Sequence, residues 1–300
     1  MICVIIRGRL RKSIKAIGML VVFHMEVILA DTLGFCYGVK RAIELAEQNA
    51  AQDGSSRTLG PIIHNPQVVD KLRHKGVGVA DSVDDVDAGT LIIRSHGVGP
   101  SVYDKAEEKD IFLVDATCPH VKRAQLSAKK LSEDGRQVII VGEKCHPEVR
   151  SISEWAMQEV VVVDSEEEAM KLPKYGKLGI VAQTTFSGEK FKRIVSVLLE
   201  KSDDIHIIRT ICTATDQRQK AASELSAHVD MMIVIGGHNS ANTTRLAQLC
   251  AEKCRTYHIE TAAELQDEWF DNIKKIGITA GASTPDWIIR EVYTKCQNRK

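Results

Sequence analysis

Three cysteines constrain this chain more than any other feature: Cys36, Cys118 and Cys212 each end a strand-like run and open a helix-like one. Twenty-eight residues beyond each lies a polar residue in another strand-to-helix turn, namely His64 in GPIIHNP, His146 in VGEKCHPEV and Ser240 in IGGHNSANTTRL. A third set of turns carries His96 in IIRSHGVGP, Thr184 in VAQTTFSGEK and Ser283 in ITAGASTPD. A spacing kept three times marks a repeated supersecondary unit. It predicts three similar α/β units around a pseudo-threefold axis, spanning residues 25–117, 118–209 and 210–300.

Between these turns, apolar runs alternate with amphipathic ones: VILAD, TLIIRS, IFLVDA, QVIIVG, EVVVVD, LGIVAQ, IHIIRT, MMIVIGG and IGITAG. That alternation predicts largely parallel sheets. Asn65-Pro66, Cys118-Pro119, His146-Pro147 and Thr284-Pro285 place proline near the first helical position, where its missing N–H costs least. Ligands of open α/β sheets bind where the carboxyl ends of strands converge. Nine turns bearing Cys, His, Thr or Ser therefore predict a single central site.

With 300 residues, 44% of them hydrophobic, the chain can bury a sizeable core. Forty basic residues balance forty acidic ones, which argues against a nucleic-acid partner or an anionic membrane surface. No stretch approaches the ~20 apolar residues needed to span a bilayer. Eight cysteines are too sparse for a disulfide framework, and without a secretory pattern they predict a reducing cytoplasm. Residues 1–24, rich in Arg and Lys, are expected to be a disordered tail or an overextended start.

A lone cysteine after a buried strand is usually a small core hydrophobe. Three at equivalent positions are a ligand set, suited to zinc or an iron–sulfur cluster. Without a CxxC pair, a closed structural zinc site is disfavoured and one metal position stays open. Cys3 in the N-terminal tail, Cys250 and Cys254 spaced i, i+4 on a helix-like segment, and Cys296 near the end are expected to be packing or surface residues; Cys145, without a counterpart in the other units, is expected to be a non-ligand. His74, His206, His228 and His258 are expected to be structural. His64, His96 and His146 sit in the repeated turns, where they can donate to anionic oxygens beside helix N-termini. Glu148, two residues beyond His146, is a candidate general acid if burial raises its pKa. The small donors of NSANTT beside Gly236 and Gly237 suggest a phosphate site.

Taken together, GFCYGVKRAI, GPIIHNP, RSHGVGP, DATCPHV, HPEV, AQTT, IC followed by TATDQRQ, NSANTTRL and TAGASTPD resemble the 4-hydroxy-3-methylbut-2-enyl diphosphate reductase family in content and order. The resemblance covers nearly everything from Met25 onward. It implies a trefoil of three α/β domains enclosing a [4Fe-4S] cluster, three irons held by Cys36, Cys118 and Cys212, and a fourth open to the substrate's hydroxyl. An air-exposed preparation would hold a [3Fe-4S] remnant. The resemblance further implies that His64, His96, Ser240, Asn242 and Ser283 hold the diphosphate. His146, Thr184 and Glu148 would surround the reacting alcohol, with Glu148 at the head of a proton relay. Electrons would come from reduced ferredoxin or flavodoxin.

Three positions depart from the family pattern. Ala241 replaces a frequent second serine, and Thr213 a frequent tyrosine. RSISEWA replaces a glycine-containing stretch and is expected to form a stiffer loop. Two rival readings are a zinc hydrolase, disfavoured because three thiolates make zinc a poor Lewis acid, and an iron–sulfur sensor, which would need no acid at Glu148.

Overall fold

The computed structural model describes residues 25–53 and 56–299, so the expectation for residues 1–24 lies outside the described residues. In chain order the strands are β1 (Glu26–Leu29), β2 (Arg57–Leu59), β3 (Gly78–Ala80), β4 (Thr90–Ile93), β5 (Phe112–Asp115), β6 (Gln137–Val141), β7 (Val161–Val163), β8 (Leu178–Ala182), β9 (Ile205–Ile207), β10 (Met231–Ile235), β11 (Arg255–Ile259) and β12 (Lys275–Ala280). The α-helices are α1 (Tyr37–Asp53), α2 (Pro66–His74), α3 (Pro100–Glu108), α4 (Pro119–Glu133), α5 (Pro147–Trp155), α6 (Glu166–Met170), α7 (Gly188–Leu198), α8 (Thr213–Ser226), α9 (Ala241–Ala251) and α10 (Asp286–Gln297). None is long and apolar enough to cross a membrane.

The strands form three four-stranded sheets, ordered β3-β2-β4-β5, β7-β6-β8-β9 and β11-β10-β12-β1. Every pairing is parallel. The three orders are one order repeated, which is the expected trefoil of α/β units. Helices cover both faces of each sheet, and the strands read as continuous apolar runs for that reason. Along β10, Met231, Ile233 and Ile235 enter one core while Met232 and Val234 enter the opposite one. Ile139 and Val141 of β6 likewise oppose Val138 and Ile140. In β4, Leu91 and Ile93 oppose Ile92.

One strand changes sheet relative to the sequence reading. β1, placed by sequence in the unit 25–117, pairs with β12 in the sheet of residues 231–280. The reason lies in the repeat: the strand before each cysteine adds to the edge of the preceding sheet, as β5 does on β4 and β9 on β8. Around the axis the sheet preceding the first cysteine is the last one, so β1 closes the ring. Sequence also overlooked β2, β3 and β11. The first two are three residues long, and RTYHI in β11 carries no apolar run. The RSISEWA stretch is not the expected loop: Arg150 to Trp155 continue α5, bury Ser151 and Ile152, and anchor through Trp155 Nε1 donating to the Val98 carbonyl at 2.8 Å.

Each cysteine-led helix crosses to pack on the following sheet. Ala42 and Ala46 of α1 meet Ile92, Ala124, Ala128 and Leu131 of α4 meet Val138 and Val181, and Ala222 of α8 meets Met232 and Val234. Glycines allow two of these approaches. A Cβ at Gly179 would stand 3.0 Å from the Leu131 Cβ, and one at Gly277 would stand 2.2 Å from the Met232 Sδ and 3.0 Å from the Leu225 Cγ. Gly179→Val, overpacking the α4 contact, should cost about 1–3 kcal/mol in urea unfolding despite valine's better strand propensity. An unchanged midpoint would mean that α4 is not seated through this glycine.

Candidate active site

Backbone bonds place the cysteines before any side chain acts. The Cys36 N–H donates to the Ala282 carbonyl at 3.1 Å, Cys118 to Ser95 at 3.0 Å, and Cys212 to Thr184 at 3.0 Å. Each acceptor lies in or beside a third-turn polar residue, so cysteine turns and polar turns are laced together. One central cavity results, and all eleven residues expected from sequence line it: Cys36, Cys118, Cys212, His64, His96, His146, Glu148, Thr184, Ser240, Asn242 and Ser283. Cys145, Cys250, Cys254 and Cys296 lie outside its lining. Cys3 lies outside the described residues.

The three thiols are free and half-buried. Gly38 makes room for one of them, since a Cβ there would stand 2.4 Å from the Cys118 Sγ. Burial pushes the Cys118 pKa up to about 11, helped by neighbouring Cys36 and Glu148, and raises that of Cys212. Thr215 Oγ1 lies 3.1 Å from the Cys212 Sγ. Arg218 is only 4% exposed and lines the same cavity. Its Nη2 donates to the Gly34 carbonyl at 2.7 Å and its Nη1 to the Ala214 carbonyl at 3.0 Å, while its Nε has no partner among the described residues. Burial lowers its pKa, and the thiols of Cys36 and Cys212 oppose that shift by favouring the charged form. A buried cation facing thiols instead of a carboxylate suits a site that gains negative charge when filled.

Glu148 is 1% exposed on the first turn of α5. Its Oε1 accepts from the Thr184 N–H at 2.6 Å and its Oε2 from the Thr184 hydroxyl at 2.9 Å. Both bonds favour the carboxylate, yet burial outweighs them and pushes the pKa up to about 7. Glu148 can therefore hold or release a proton near neutrality. The His146 Nδ1 accepts from the Glu148 N–H at 3.2 Å, which leaves the proton of the neutral ring on Nε2.

His64, His96 and His146 cluster with ring centroids 4.4, 5.6 and 5.5 Å apart. Burial depresses all three pKa values, His146 to about 4, and Arg94 adds to each shift. Their nitrogens lie within 4.8 Å of one another, close enough for a metal or an anion. The Arg94 field and the α9 N-terminus favour the anion. Ser240 caps α9, its Oγ accepting from Thr243, and Ser283 Oγ donates to the His64 carbonyl at 3.2 Å. Asn242 is 5% exposed, and neither amide atom has a partner among the described residues. The His64 Nε2 and His96 Nδ1 are also unpartnered. Buried polar atoms in native proteins are rarely left unbonded, so these are free to bond a ligand or water.

Residues 27–297 match the family model described as LytB protein. The chain belongs to the LytB family. A relative from Trichlorobacter lovleyi, named 4-hydroxy-3-methylbut-2-enyl diphosphate reductase, is 52% identical over 272 residues, covering 90% of this chain and 97% of that protein. One from Geotalea uraniireducens with the same name is 52% identical over 274 residues, covering 91% and 97%. A solved structure described as (E)-4-hydroxy-3-methyl-but-2-enyl diphosphate reductase, the terminal enzyme of the non-mevalonate pathway, shares 44% identity at a TM-score of 0.67, covering 91% of this chain and 99% of that one. The E-1-hydroxy-2-methyl-but-2-enyl-4-diphosphate reductase from Plasmodium falciparum shares 29% identity at a TM-score of 0.87, covering 92% and 89%.

Within this LytB chain the sequence reading gave no role to Gly38, Arg94, Thr215 or Arg218. Arg218 and Thr215 stand in the TATDQRQ motif, and their spacing of three and six residues from Cys212 at a helix start was the available signal. Burial of Glu148 has a measurable consequence. Its folded-state pKa lies above the ordinary value, so the folded protein holds more protons between pH 4.5 and about 7 and loses stability as pH rises through that window. Glu148→Gln should therefore be more stable than the parent at pH 8, by on the order of 1–3 kcal/mol in urea unfolding of cluster-free protein, with the gap closing at pH 4.5. A pH-independent difference would contradict the buried, proton-holding carboxyl.

Proposed function

We propose that this LytB-family chain reductively removes the hydroxyl group of (E)-4-hydroxy-3-methylbut-2-enyl diphosphate, giving isopentenyl and dimethylallyl diphosphate in the terminal step of the non-mevalonate pathway. The balance is one allylic alcohol, two electrons and two protons to one product and one water. The observation that carries this reading is Glu148, buried, bonded to Thr184 and titrating near neutrality in the cavity that three cysteines share. A sensor or a purely structural metal site has no use for such an acid.

The donor set fits a cluster. Cys36, Cys118 and Cys212 would hold three irons of a [4Fe-4S] group, Gly38 leaves space beside one sulfur, and the buried charge of Arg218 balances a net-negative thiolate assembly. When bound, the cluster supplies two single electrons and a Lewis-acidic iron for the departing oxygen. The remaining work falls to the chain. Glu148 holds the proton that turns the leaving hydroxyl into water, and the Thr184 hydroxyl at 2.9 Å is positioned to relay it. His146 flanks the same alcohol, its Nε2–H free to donate. His64, His96, Ser240, Asn242 and Ser283 hold the diphosphate at the α9 N-terminus. Ala241 is the first residue of α9, so its N–H has no intrahelical partner and can replace the missing serine hydroxyl.

The electrons come from an outside carrier, reduced ferredoxin or flavodoxin, and the free thiols fit a reducing cytoplasm. Anaerobic Mössbauer spectroscopy of iron-57-labelled protein tests the core of the reading. A [4Fe-4S] signal with one distinctive iron that changes on adding the diphosphate supports it; a cluster indifferent to the diphosphate refutes it. Glu148→Gln should retain cluster and substrate while turnover drops about 100-fold or more. Near-parental turnover would remove the proton-relay role. Cys118→Ser should lower iron and sulfide content, and full loading would reject the three-cysteine assignment.

A further inference from the structure

We propose that the outer face of α4, with the groove beside it, is the docking surface for an acidic one-electron carrier protein. The inference rests on the reductive reading above, which requires two single electrons from outside for each turnover. Each delivery oxidises one carrier by one electron, so the surface must bind and release twice per product.

The groove runs along Arg41, Pro119, Lys122, Arg123, Leu126 and Lys130, with Asp115 at one end. Four cations thus meet one carboxylate, in a chain whose formal net charge is zero. Asp115 is already engaged, bound by the Lys122 ammonium at 2.5 Å. The Arg41 guanidinium reaches only backbone, the carbonyls of Thr117 and Asp115 at 3.3 and 3.4 Å. Arg123 and Lys130 are exposed, and neither has an ion-pair partner among the described residues. Leu126 stands 50% exposed among these charges. An apolar centre ringed by cations is the complement of a small acidic protein with an exposed redox centre.

Position separates this face from other charged ones. Pro119 directly follows Cys118, and Thr117, which also lines the groove, directly precedes it. Arg41 lies five residues beyond Cys36 on α1. The groove therefore backs onto two of the three cysteine turns, and a bound carrier would face the short backbone link to the Cys118 sulfur. The third cysteine helix offers no such field. On α8, Asp216 is bound by Arg209, Lys220 pairs with Glu224, and Arg218 is buried. Local charge of this kind acts on encounter rate and salt dependence more than on the fold.

The test uses cluster-loaded enzyme with purified ferredoxin and purified flavodoxin, each measured for affinity by calorimetry and for carrier-driven turnover. Arg123→Glu with Lys130→Glu should weaken binding of the preferred carrier and raise its KM about tenfold or more, with the parental affinity falling as salt increases. Turnover driven by dithionite and methyl viologen should stay unchanged, because neither residue touches the cavity. Lys174→Glu with Lys177→Glu, the same charge change on exposed residues outside the groove, should leave carrier affinity intact. The surface assignment is overturned if neither carrier binds the parent, if the groove variant binds as tightly as the parent, or if the control pair weakens binding equally. Failure of the parent to reduce the diphosphate even with methyl viologen would instead refute the functional reading, leaving the binding measurement to judge the surface separately.

Discussion

Everything at the centre of this protein depends on where parallel strands end. All three sheets are parallel, so their carboxyl ends and the turns that follow can face one axis. Each cysteine N–H then bonds to the polar turn beside it, which fixes where the cysteine backbone stands and leaves only the χ1 rotamer to aim the thiol. The strand exchange completes the arrangement. Because the strand before each cysteine belongs to one sheet and the helix after it packs on the next, every cysteine sits at a seam between two units.

The seam also explains the electrostatics. Converging turns exclude water, and in that setting groups adopt the protonation state that costs least to bury. Glu148 keeps its proton to near neutrality, the three histidines lose theirs, and the buried thiols of Cys118 and Cys212 retain theirs. Arg218 cannot deprotonate, so it keeps its charge and waits for negative partners. The cavity lining by itself is thus weakly charged but strongly responsive. An anionic ligand at the histidine and Asn242 corner and a metal–thiolate group beside Arg218 would each relieve polar atoms that have no partner among the described residues.

Helix α4 joins inside to outside. Its N-cap is Cys118, its apolar side carries Ala124, Ala128 and Leu131 onto the second sheet, and its exposed side carries Arg123 and Lys130, which have no ion-pair partner among the described residues. Since Gly179 lets α4 lie close to that sheet, packing in the core and placement of the surface charges are parts of one constraint.

Much of this was legible in sequence. The spacing from Cys36, Cys118 and Cys212 to His64, His146 and Ser240 announced the three units and the turns that carry chemistry, because turn positions recur wherever a supersecondary unit recurs. The nine apolar runs located the buried strands, since burial on both faces leaves a continuous hydrophobic signature. Short or mixed strands such as β2, β3 and β11 left no such trace, and their pairing comes from neighbouring backbone. Sequence order likewise assigned β1 to the first unit, whereas closing a ring requires that one strand cross from the chain's beginning to its last sheet. The pKa of Glu148, the unpartnered amide of Asn242 and the buried charge of Arg218 were decided only in three dimensions. A residue's type states what it can donate or accept; desolvation and the absence of competing partners, which determine what it does, exist only once the chain has folded around it.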